Sequence, residues 1–292
     1  MAFLTLSISS SALILVIFRL AGRYNIKLFP IIILNYFAAG IVGHLFTPHD
    51  AIQQLYSFQQ PQWLAPAIAI GVLLIVMFFL MGISSQKAGV SVTSVASKMS
   101  VIVPVAFSIV YYSEDIFFLK MLGIGLALVA VLLSSLKKKA GQDNADPRFL
   151  LLPFLIFLGT GTIDALIKFT QQAYINPETS AAFTSFLFGV AFVLGVGASL
   201  FRRVPLRAFF VPKTFFTGIV LGLMNYASIY FLIRALETQV LDSSIIFGLN
   251  NIGVVALSVL IGLFFFREKL SPLNWAGTGL AFVSIYLLRM AG

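Results

Sequence analysis

The chain has 292 residues, 60% of them hydrophobic and only 10% charged, with a formal net charge of +9 and no cysteine. A soluble domain carries about 25% charged residues, so this composition excludes a water-facing surface over most of the molecule. The absence of cysteine excludes disulfides, thiolate nucleophiles and Cys-based metal or redox centres. Apolar stretches of about 20 residues are long enough to cross a hydrocarbon core of about 30 Å as helices. They lack the alternation over about ten residues that barrel strands require. The fold class expected is therefore an all-α polytopic membrane protein. In such a chain a net positive charge reports basic loops on the cytoplasmic side rather than nucleic-acid binding.

Hydropathy places ten segments at residues 2–20, 28–46, 63–83, 91–112, 118–136, 149–172, 179–201, 210–233, 242–266 and 272–290. Segment 1 begins without a basic leader region and reads as a span rather than a signal peptide. It ends near Arg19, which can snorkel to the interface. Segment 2 carries Asn35-Tyr36, and the connection that follows holds His44, His49 and Asp50, read as a solvated loop rather than a metal site. Segment 4 contains Ser94, Ser97 and Lys98 at spacings that put them on adjoining parts of one helix face. An ionisable group at that depth is costly and needs a partner or water. Lys98 is accordingly either a substrate ligand facing a cavity or a structural lysine bonded to a carbonyl or carboxylate.

Segment 6 holds Asp164 and Lys168 four residues apart on one face, a spacing that favours mutual neutralisation and leaves a ligand or coupling-ion role as the alternative. Segment 8 contributes Asn225 and Tyr226, together with Gly218 and Gly222 at the GxxxG spacing of close helix packing. Segment 9 contributes Asn250 and Asn251. Adjacent residues point about 100° apart on a helix, so one amide can tie helices together while the other faces a solute.

The soluble linker at 137–148 (KKKAGQDNADPR) falls at the midpoint and divides the chain into a first half, 1–136, and a second half, 149–292, each with five segments. Glu114, Gly123 and Gly125 recur 154 positions later as Glu268, Gly277 and Gly279, with several apolar positions in register. Arg19 pairs with Lys168 in the same kind of comparison, and Phe37 with Phe186. An odd number of segments per repeat makes the second copy enter the bilayer in the opposite sense. Inverted repeats of this type build secondary transporters around a site near the midplane.

With Pro104, Tyr111-Tyr112-Ser113-Glu114, the glycine pair that follows, and their echoes Phe266-Arg267-Glu268-Lys269-Leu270 and Gly277-Thr278-Gly279, the chain resembles the EamA-like ten-helix branch of the drug/metabolite transporter superfamily. That resemblance spans nearly the whole sequence. It implies two inverted five-helix repeats forming a basket around a central cavity, with segments 5 and 10 as scaffold. The position matching Pro104 is Ser258, so segment 9 need not share a kink with segment 4. Glu114 and Glu268, at helix ends beside loops, read as structural or gate residues together with Pro104.

The function expected is a secondary transporter working by alternating access, without catalytic residues, metal or cofactor. No GxxxxGK[ST] loop is present to bind ATP. The candidate substrate-binding residues are Lys98, Ser94, Ser97, Asn225, Tyr226, Asn250, Asn251, Asp164 and Lys168. Deep lysines, and no acid in the centre of segment 1, point to an anionic or zwitterionic metabolite such as an amino acid. The partners are that solute, the lipid bilayer and a candidate coupling proton, in a monomer or homodimer. An intramembrane lipid-modifying enzyme and a non-transporting membrane subunit are the competing readings. Loop charges place the odd-numbered connections in the cytoplasm and both termini outside the inner membrane, against the more usual habit of the family.

Overall fold

The computed structural model describes residues 2–56, 61–111, 118–135, 148–175, 177–237 and 243–290. Among these the chain is built from helices, with no strand. In order they are α1 (Ala2–Arg23), α2 (Leu28–Phe46), α3 (His49–Tyr56), α4 (Leu64–Lys87), α5 (Val90–Met99), α6 (Ile102–Tyr111), α7 (Phe118–Ser135), α8 (Arg148–Tyr174), α9 (Ser180–Phe201), α10 (Pro212–Glu237), α11 (Ser243–Phe264) and α12 (Pro272–Met290). Five of them, α1, α2, α4, α9 and α10, are long and apolar enough to cross a membrane. Shorter apolar stretches lie at Val90–Pro104, Met121–Ala130, Leu151–Ile167 and Leu249–Phe264. Large apolar side chains such as Val193 (66% exposed) and Phe216 (67%) stand on the outside. A surface of that kind is stable only against lipid; the chain is a multi-pass membrane protein.

The segment at 91–112, where Pro104 implies a kink, is divided into two helices, α5 and α6, separated by a turn at Ser100 and Val101. Pro104 supplies the reason. It has no N–H to give the carbonyl four residues back, and its ring crowds that carbonyl, which belongs to Ser100. The Ser100 carbonyl instead accepts a tighter bond from the Val103 N–H at 2.9 Å. Ser258, at the equivalent place in α11, permits a continuous helix. The connection after α2 also differs from a plain loop: His49 opens the short amphipathic helix α3, and its ring nitrogen lies 3.1 Å from the Gln53 side chain.

Packing is between sequence-distant helices. α7 runs along α12, with Ser284 donating to the Gly123 carbonyl (2.8 Å) and Asn274 to the Leu133 carbonyl (3.3 Å). Gly123 and Gly277 are both buried, whereas Gly125 and Gly279 both face open space. α10 lies against α2 and α1, α2 against α9, α4 against α8 and α9, and α5 against α8 and α11. Gly218 and Gly222 allow a close approach: a Cβ there would come within 2.5 Å of Leu34 and of the Asn35 carbonyl, respectively. That is the close helix packing their spacing predicts.

Candidate functional site

The break in α5–α6 positions the first part of the site. Gly161 of α8 fits against it so closely that a Cβ would meet the Ser100 carbonyl at 2.7 Å. One turn further along α8, Asp164 lies beside Ser100, whose hydroxyl donates to the Ser97 carbonyl (2.5 Å), and interacts electrostatically with Lys98. Sequence spacing pairs Asp164 with Lys168 on its own helix; the structure also brings Lys98 of α5, from the other half of the chain, within electrostatic reach of Asp164. The Lys168 side chain lies outside the described residues.

Asp164 is exposed, yet it does not face lipid. Leu151, Phe154, Leu155, Leu158 and Thr162 form the exposed stripe of α8. At 100° per residue, Asp164 lies roughly 200° round from Thr162, between the buried Ile156 and Phe157. Its exposure is therefore to space inside the bundle. Ser97 and Lys98 are the half-exposed pair on α5, whose other residues are buried. Ser94 departs from expectation: it is fully buried, and its hydroxyl points at the Val254 carbonyl of α11 at 3.5 Å, so it ties helices instead of lining space.

A second polar cluster joins α1, α2, α10 and α11. Ser7 donates to the Ser228 carbonyl (2.8 Å) and lies 3.1 Å from the Asn250 side-chain oxygen. Ser228 in turn donates to the Asn225 carbonyl at 2.8 Å. Asn35, fully buried, presents its amide nitrogen to the Leu221 carbonyl (3.3 Å) and its oxygen to the Tyr36 N–H (3.2 Å). Asn250 and Asn225 are buried, whereas Asn251 is half-exposed, the division of roles that adjacent positions permit. Tyr226 stacks between Phe46 (6.2 Å between ring centres) and Tyr230 (5.8 Å), making an aromatic wall.

Glu268, in the connection after α11, caps α5. Its carboxylate accepts the Val90 N–H (2.7 Å), the Ser91 N–H (3.3 Å) and the Ser91 hydroxyl (2.8 Å). Gly89, at φ +114°, and Gly262 leave the room this requires, since a Cβ on either would collide with the carboxylate. Pro104 lies in α6, and Glu114 lies outside the described residues. At the same end of the bundle Arg19 donates to the Ser85 carbonyl (3.1 Å) and the Gln86 carbonyl, Ser85 to the Leu15 carbonyl (2.7 Å) and Gln86 to the Phe18 carbonyl (3.1 Å). This clasp joins α1 to α4 and satisfies carbonyls that a helix end leaves unpaired. Sequence reasoning passed over Ser100, Ser7 and the clasp. The first was readable as the residue four before Pro104; the others pair across 66 or more positions and leave no local signal.

Fold and site together define a multi-pass helical membrane protein with a lysine and an aspartate in electrostatic reach of one another inside its bundle. No family model matches the chain. It is 26% identical over 287 residues to an uncharacterised protein of Haemophilus influenzae, spanning 98% of this chain and 96% of that one. A crystallographically determined protein, 13% identical, superposes over 99% of this chain and 96% of its own length with a TM-score of 0.59. That likeness shows a shared fold.

Proposed function

We propose that the chain is a secondary transporter of the drug/metabolite type, with ten spans arranged as two inverted five-helix repeats around a central cavity. It carries a small anionic or zwitterionic metabolite across the cell membrane by alternating access. The observation that carries this reading is the Lys98–Asp164 pair, exposed on an inward-facing stripe beside a broken helix. Discontinuous helices with polar groups near the midplane are how transporter folds coordinate solutes. Lys98 offers three donors to a carboxylate or phosphate; Asp164 offers an acceptor to an ammonium group or a proton. Asn251 and Tyr226 supply further polar and aromatic contacts from the second cluster. The repeated burial of Gly123 and Gly277 and the repeated openness of Gly125 and Gly279 support the two-fold arrangement.

The test is thermal stabilisation of the purified protein by a panel of amino acids, organic acids, sugar phosphates, nucleotide sugars and organic cations. Wild type is compared with Lys98→Met, because a ligand bound only to the folded state raises its stability. Anionic or zwitterionic compounds are expected to stabilise wild type alone, and those that do should be accumulated by vesicles containing only this protein. Equal stabilisation of both proteins by cations would overturn the assignment of Lys98 and of the substrate class.

A further inference from the structure

The basic end of the bundle contains a cavity of about 820 Å³ lined by Arg19, Gly22, Arg23, Gln86, Phe265, Phe266 and Arg267. Three guanidinium groups converge on one concavity, and no carboxylate lines it among the described residues. The nearest acid in sequence, Glu268, is turned away and committed to the backbone N–H groups of α5. Arg267 is held at the rim by a left-handed backbone, φ +52°, that lets the chain turn back from α11. The Glu268 N–H reaching back to the Gly262 carbonyl (2.8 Å) fixes that turn. Arg19 is fixed from the other side by the α4 carbonyls and lies 6.0 Å from the Phe266 ring.

Scattered basic residues at a cytoplasmic interface need only their sidedness. Converging arginines around a concave space have a further requirement, because like charges gathered there repel until an anion enters. Guanidinium forks match phosphate oxygens two at a time. The volume leaves room for a substituent, and Phe265 and Phe266 give that substituent an apolar wall. We propose that this vestibule is a binding site for a phosphate group carried on an organic moiety. It is separate from the Lys98–Asp164 site: Lys98 lies eight residues into α5, about 12 Å along the helix axis from the capped end.

Two sources present that chemistry, a soluble phosphomonoester and an anionic phospholipid headgroup. The experiment uses the full-length protein in neutral detergent, as wild type and as Arg23→Gln/Arg267→Gln. Arg203→Gln/Arg207→Gln, which changes two arginines outside the cavity, is the control. Arg19 is left intact because it clasps α1 to α4. One arm titrates phenyl phosphate by calorimetry; the other titrates phosphatidylglycerol, against phosphatidylcholine, and counts retained lipids by native mass spectrometry. Binding in either arm should weaken at least tenfold in the cavity variant and less than twofold in the control. The phenyl phosphate arm alone responding assigns a soluble ligand, and the lipid arm alone a headgroup. Binding in neither arm, or equal weakening in the control, would show only diffuse surface charge and overturn the site.

Discussion

At the scale of single residues, the interaction between Lys98 and Asp164 makes a quantitative claim. A charge left unpaired inside a bundle keeps its desolvation cost after its partner is removed. Lys98→Met and Asp164→Asn are therefore each expected to lower unfolding free energy by about 1–3 kcal/mol, and the double variant to lose less than the sum of the two. A double-mutant cycle read by denaturation in detergent checks this. Strict additivity would mean that the two groups do not depend on one another. Glu268 supports a second prediction. Charge-assisted bonds to backbone N–H groups are stronger than neutral ones, so Glu268→Gln should cost about 1–3 kcal/mol while leaving ligand stabilisation at the central site in place. Unchanged melting would refute the cap.

The site residues were legible where the signal was chemical type at depth: a lysine, an aspartate and a run of asparagines in apolar helices stand out without any structure. Their partners were less so. The Asp164–Lys168 spacing follows a rule for single helices, which carries no information on a neighbouring helix that brings a further charge, here Lys98, to the inward face. Ser94 looked like part of the Lys98 face, and only the position of α11 shows that its hydroxyl is used up in packing.

At the scale of elements, glycines with the same helical setting are expected to behave in opposite ways. Gly222 faces the α2 backbone with no room for a Cβ, whereas Gly279 of α12 faces open space. Gly222→Leu forces α10 from α2 and is expected to cost about 1–3 kcal/mol or more, as overpacked interfaces do. Gly279→Ala should instead stabilise by about 0.5–1 kcal/mol through helix propensity. Similar losses from both substitutions would contradict the packing described. Helix positions were otherwise largely visible in hydropathy, since a segment that must satisfy its own backbone in lipid has few alternatives to a helix. The division of 91–112 was not, because a proline within an apolar run signals a kink but not whether the helix resumes after it.

At the scale of the whole molecule, the repeat proposal has a consequence in the way the bundle is closed. α1 packs along α4 and is clasped to it by Arg19, Ser85 and Gln86 at the basic end. On that proposal α8 and α10 hold the equivalent places in the second half, yet among the described residues they share no comparable packing. An inverted pair with only one of two matching seams joined is closed at one end and open at the other. The interior groups Ser97 and Asn251 should then be reached from the end away from the arginines. A chain with no cysteine makes the test direct, because Ser97→Cys and Asn251→Cys each introduce the only thiol. A membrane-impermeant maleimide is expected to label both from the face bearing the α1 N-terminus and to label them slowly from the basic face. Adding Arg19→Gln removes two bonds of the clasp and should raise labelling from the basic face severalfold, as the equilibrium shifts toward the oppositely open state. Labelling at equal rates from both faces in the parent, or no response to Arg19→Gln, would show that the α1–α4 seam is a fixed packing contact and not a gate.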